Sequence, residues 1–180
     1  MHNLKLQKFQ FINDLNVNLI FKDTTNLSII YRNYSQEIVE KKIVNLKEFC
    51  KKKGVKFFIA NRIKECLKYD LDGLYIPSFN KKKIVRKLKL NKQIVIGSAH
   101  NQIEIRRKID QGCKIIFLSP LFKTYKLKYL EIPKFNLIKM SFKNKFVALG
   151  GIKQKNIKKI KMLNVYGISG ISMYKKNRPR

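Results

Sequence analysis

The sequence predicts an α/β fold, a small (β/α)8 TIM barrel with shortened first and last helices, and three observations predict it. Short apolar runs rich in β-branched and aromatic residues recur about eight times. Polar stretches with a helical apolar period lie between them, and no linker, repeat or low-complexity boundary interrupts the 180 residues, so one domain spanning 1–180 is expected. Runs apolar at every position suit strands buried on both faces, as in a parallel sheet covered by helices. Strand and helix alternating eight times then favour a closed barrel, with an open doubly wound sheet as the runner-up.

The elements follow in order. FQFI from Phe9 is the first strand, and the first helix is squeezed between Asp14 and Asn26. LSIIY from Leu27 is the second. Ser35 is the expected N-cap of the next helix, whose stripe is Ile38, Val39, Ile43, Leu46 and Phe49, with Gly54 at its stop. VKFFI from Val55 and GLYI from Gly73 give strands three and four, and QIVIG from Gln93 gives the fifth. Asn101 with Glu104 has the spacing of a capping box, so a helix starts there. KIIFL from Lys114 and KFVAL from Lys145 follow. Ile157, Ile160 and Leu163 then mark a buried stripe, with Lys155, Lys158, Lys159 and Lys161 on the wet side. GISGI from Gly167 is the eighth strand, and only MYKKNRPR remains for a last helix.

Composition narrows the function classes. At 44% apolar residues the chain is globular rather than disordered or fibrous. No segment nears the ~18 uninterrupted apolar residues of a membrane span. The opening MHNLKLQKFQFINDL lacks the apolar core of a secretory signal, so a cytoplasmic protein without a membrane partner is expected. Cys50, Cys66 and Cys113 are odd in number and never reach CxxC spacing, which makes them packing residues rather than a disulfide framework or a zinc site. The net charge of +30 is spread along the whole chain, with no aromatic-interleaved basic patch, so specific nucleic-acid binding is not expected. Whether the chain forms a homo-oligomer is left open.

In a barrel the residues just past each strand face the ligand. Two such places are glycine-rich: Gly150-Gly151 after the seventh strand, and Ser169-Gly170-Ile171-Ser172 at the eighth. Glycines let backbone N–H groups approach an anion, and a helix start adds its positive end, so Gly150, Gly151, Gly170 and Ser172 are candidate phosphate ligands. The plainer alternative is that the glycines only turn the chain.

The strand-end motifs, taken in series, resemble the thiamine phosphate synthase/TenI family. They are Tyr31-Arg32, Ala60-Asn61-Arg62, Asp72-Gly73-Leu74-Tyr75, Gly97-Ser98-Ala99-His100, Ser119-Pro120-Leu121-Phe122-Lys123-Thr124 and Ala148-Leu149-Gly150-Gly151-Ile152. The resemblance covers Phe9 to Met173. It implies a barrel that binds the thiazole phosphate half of thiamine, with Arg32, Arg62, Ser98, Thr124 and Lys126 as substrate-binding candidates.

Within such a family the synthase joins thiazole phosphate to a pyrimidine diphosphate, with magnesium holding the leaving pyrophosphate. Its pattern has an Asn-Asp pair where this chain reads Ala60-Asn61, and a further acid where it reads Asn80. Of a Gln-x-Arg-x-Lys signature, Ile30, Arg32 and Tyr34 keep only the arginine. No carboxylate set for magnesium is left at these loops, so no cofactor is expected unless the chain is a synthase. The TenI-like branch instead implies a thiazole tautomerase with a histidine acid/base at the His100 motif. A histidine side chain titrates near neutrality and can both take and return a proton, so His100 is the catalytic candidate, with Ser98 as a supporting hydrogen-bond donor. The alternatives kept open are a divergent synthase and a non-catalytic phosphate-ligand barrel.

Overall fold

Each apolar run becomes a strand: β1 Gln7–Ile12, β2 Leu27–Tyr31, β3 Lys56–Ala60, β4 Gly73–Ile76, β5 Ile94–Ala99, β6 Ile115–Leu118, β7 Lys145–Leu149 and β8 Gly167–Ser169. The computed structural model describes residues 6–35, 37–83, 92–124 and 128–170. Neighbours in sequence pair in parallel, and β1 also pairs with β8, so the sheet closes into a barrel. Closure excludes the open doubly wound alternative.

Strand alternation divides the core into two. Phe9, Ile30, Phe58, Ala60, Tyr75, Ile96, Ile115, Phe117 and Val147 point inward and form one buried cluster. Their strand neighbours, among them Ile29, Ile59, Leu74, Ile116 and Ala148, point outward into a second cluster with the helices. Both faces are apolar because both are buried. The interior is filled by rings packed edge to face: Phe9 and Phe117 lie 4.9 Å apart at 75°, and Tyr75 and Phe117 lie 5.7 Å apart at 88°. A barrel of this width is a packed core, so ligand chemistry is confined to its rim.

The described helices are α1 Glu40–Lys52, α2 Ile63–Lys68, α3 Gln102–Asp110 and α4 Glu131–Met140, with 3-10 segments at Val17–Leu19 and Gln154–Met162. The shortened first crossover is as expected. Buried Gln10 holds it, donating to Leu19 O at 2.5 Å and accepting from Phe21 N at 3.2 Å.

The Ser35 cap is a correction. Asn33 Oδ1 accepts from both the backbone N–H and the hydroxyl of Ser35, at 3.2 and 3.3 Å, and this local turn delays α1 until Glu40. Val39 consequently lies outside the stripe, 52% exposed, and Ile43, Leu46 and Cys50 are the buried residues of α1. Cys50, Cys66 and Cys113 are buried and free, and burial pushes each thiol up to about 12, which suits packing residues. Ile160 and Leu163 are buried, while Lys155, Lys158, Lys159 and Lys161 are exposed. Among the described residues no helix is long and apolar enough to cross a membrane. The expected last helix lies outside the described residues.

Candidate functional site at the carboxyl rim of the barrel

His100 follows β5 directly, and two neighbouring strand ends hold its ring. Nδ1 lies 2.7 Å from the carbonyl oxygen of Ser119, just past β6. A carbonyl only accepts, so Nδ1 carries the hydrogen, and in the neutral ring Nε2 is the basic nitrogen. Nε2 faces the hydroxyl of Ser78, just past β4, at 3.3 Å. Ser119 Oγ lies 3.2 Å from Nδ1 as a further contact. The half-buried imidazole thus bridges the ends of β4 and β6 with its tautomer set by main chain.

Its backbone is fixed as firmly. Asn101 caps α3, its Oδ1 accepting from Glu104 N at 2.9 Å. The reciprocal arm departs from the usual capping box. Glu104 Oε2 accepts from the N–H of His100 at 2.8 Å, one residue before the cap, so the acid anchors the histidine itself.

Ser98 lies elsewhere. Strand parity turns it into the barrel, 5% exposed, on the side that the Tyr75 ring also faces. Tyr75 is pushed up to about 12, by burial above all. The hydroxyls that reach His100 are those of Ser78 and Ser119, which sequence reasoning missed. Pro77-Ser78 and Ser119-Pro120 at strand ends are the available signal, but nothing local says that both side chains turn toward His100.

A cavity of about 360 Å³ opens beside the imidazole, lined by His100, Asn101, Ser119, Lys128, Tyr129 and Lys134 among others. The glycine turn does not line it. Gly150 and Gly151 adopt φ of +92° and +70°, and a Cβ on them would come within 2.9 Å of Pro120 Cβ and 2.4 Å of Phe122 O. The β6 and β7 loops are zipped by Leu121 N–H to Leu149 O at 2.9 Å and Phe122 N–H to Gly150 O at 3.1 Å. Close chain approach therefore gives both glycines a reason that needs no ligand. Gly170 is buried just past β8. Lys126 and Ser172 lie outside the described residues, and Thr124 is half-buried in the β6 loop.

The other side of the rim carries the arginines. Arg32 follows β2 and lays its guanidinium over the Phe11 ring, 4.8 Å from the centroid, on top of the interior aromatic stack. It makes no ion pair with a carboxylate among the described residues. Arg62 is the N-cap residue of α2 and pairs with Glu65 at 3.2 Å. Tyr34 and Phe79 form an exposed edge-to-face pair above the β2 and β4 ends, 5.5 Å apart.

The thiamine monophosphate synthase family model matches residues 23–174. The chain belongs to the thiamine phosphate synthase/TenI family. It is 30% identical over 142 residues to a thiamine-phosphate synthase of Prochlorococcus marinus, which covers 77% of this chain and 40% of that protein. A thiamine-phosphate synthase of Clostridioides difficile is 30% identical over 153 residues, 82% of this chain and 72% of the other. The chain spans about two fifths of the length of the Prochlorococcus relatives it matches. Among solved structures, the thiamine phosphate pyrophosphorylase from Pyrococcus furiosus superposes with a TM-score of 0.68 at 16% identity, over 93% of this chain and 85% of that one, a likeness of fold.

Membership makes magnesium a question for the donor set. At the two places where the resemblance implies acids, this chain has Asn61 and Asn80, and the Asn80 amide donates to Asn61 Oδ1. A neutral amide pair that consumes its own oxygen lacks the anionic oxygens Mg²⁺ demands. Among the described residues no three His, Cys, Asp or Glu side chains gather as a metal cluster. These residues do not fit a magnesium site.

Proposed function

We propose that this family member binds thiazole phosphate and acts as a TenI-like thiazole tautomerase, with His100 moving the proton. The observation that carries the reading is the held imidazole. Its Nδ1–H is committed to the Ser119 carbonyl, which leaves Nε2 as the nitrogen that takes a proton from the unaromatised ring and returns it at another position. Such a step is redox-neutral, conserves protons and asks nothing of the Asn61–Asn80 pair. Lys128 and Lys134 beside the cavity supply positive charge suited to a phosphate, and Arg32 is a further anion-binding candidate at the rim. The phosphate role of Gly150, Gly151, Gly170 and Ser172 belongs to the same proposal.

The test gives the purified protein the unaromatised thiazole phosphate tautomer and follows its conversion. Wild type converts it, and His100→Ala loses about 10²-fold or more of the rate. No conversion by wild type overturns the reading.

A second reading, a divergent thiamine-phosphate synthase, draws on the names of the relatives. It predicts magnesium-dependent pyrophosphate release from pyrimidine diphosphate and thiazole phosphate.

A further inference from the structure

In the α3 segment IEIRRKID, Lys108 shares the inner face with Ile105 and is 0% exposed. Its ammonium donates to Pro77 O at 2.7 Å, Asn80 O at 2.9 Å and Gln111 Oε1 at 2.9 Å. Three protons on one nitrogen meet three acceptors. Gln111, also 0% exposed, donates from its amide to Asn80 O at 3.0 Å and Lys82 O at 2.8 Å. The lysine stem runs behind β5, where Gly97 makes room: a Cβ there would lie 2.9 Å from Lys108 Cδ. Burial draws the ammonium down to about 8, so at neutral pH it still holds its full set of donors.

An ion is costly to bury, and full satisfaction by hydrogen bonds is what makes one tolerable. What this ion holds is the segment after β4. Carbonyls of Pro77, Asn80 and Lys82 are all tied to α3, and between them sits Ser78, whose hydroxyl faces His100 Nε2 at 3.3 Å.

We propose that Lys108, with Gln111, is a positioning residue that clamps segment 77–82 to α3 and thereby holds Ser78 against the basic nitrogen of His100. Lys108 does not touch the reacting atoms. Its functional weight rests on the reading of His100 given above, but the clamp is measured without turnover, so the two fail separately.

The ¹⁵N imidazole spectrum of the protein reports on His100, whose signals are assigned by their loss in His100→Ala. Lys108→Met keeps the length of the stem and removes the protons. In it, amide exchange over 77–83 accelerates roughly tenfold or more while β1, β2 and β7 keep wild-type protection. The His100 Nε2 signal shifts to match that of Ser78→Ala. A folded Lys108→Met with wild-type exchange at 77–83, or with an unchanged His100 signal, overturns the proposal. Should Lys108→Met fail to fold, Gln111→Leu is measured in its place and shows the same local opening. Exchange that rises uniformly around the barrel in that variant, or its failure to fold, assigns the pair to general stability and overturns the proposal.

Discussion

The two halves of the rim are built differently. From β5 to β7 the polar groups are committed to main chain: His100 to Ser119 O, Glu104 to His100 N, and the glycine turn to the β6 loop. From β2 to β4 the rim carries a cation over an aromatic ring, an exposed aromatic pair and two amides bonded to each other. The first half holds an imidazole in one orientation. Among the described residues the second half gathers no set of acids of the kind a metal-bound diphosphate demands, and the proposed function rests on that contrast.

Substitutions break or sharpen that contrast. Phe117→Ala empties the interior where the rings of β1, β4 and β6 meet, and it costs about 3–5 kcal/mol, read by denaturant unfolding. Gly151→Ala forces a Cβ against Phe122 O at φ +70°, and a loss of about 1–3 kcal/mol is expected from a change of one methyl group. Glu104→Ala frees the N–H of His100 and one arm of the α3 cap, at about 1 kcal/mol, with accelerated exchange at that amide. On the open side, Phe79→Ala removes a ring that is 63% exposed and costs under about 1 kcal/mol in thermal unfolding. A cost on that side equal to that of Gly151→Ala would erase the distinction between the halves.

The smallest effect lies far from either half. Lys8 pairs with Asp23 at 2.6 Å and holds its carboxyl at about 2, below the usual 3.8. A depressed carboxylate stabilises the fold above pH 3.8 and loses that contribution as pH falls toward 2. The pair is exposed, so Asp23→Asn flattens that acid limb only slightly, and less in high salt.

The strands were legible because most of them, β2, β3 and β6 above all, are apolar on both faces, a pattern that burial imposes directly on sequence. The first cap of α1 was not legible, since Asn33 captures Ser35 by a bond that spacing does not reveal. His100 could be singled out as the lone histidine beyond the chain start, and Asn101 with Glu104 gave its helix. Its partners could not be read, because Ser78 and Ser119 reach it from neighbouring strands across the sheet. Lys108 was hidden for the opposite reason. In a chain with 41 lysines and arginines, one buried ammonium looks like every other wet-side lysine until the carbonyls around it are known.

The proposed function has this rim move protons rather than expel pyrophosphate. Purified protein is given, in parallel, the unaromatised thiazole phosphate tautomer without magnesium, and thiazole phosphate with pyrimidine diphosphate and magnesium. The account predicts conversion in the first vessel, abolished by His100→Ala, and no pyrophosphate in the second. Pyrophosphate released in the second vessel, with the tautomer untouched in the first, contradicts it.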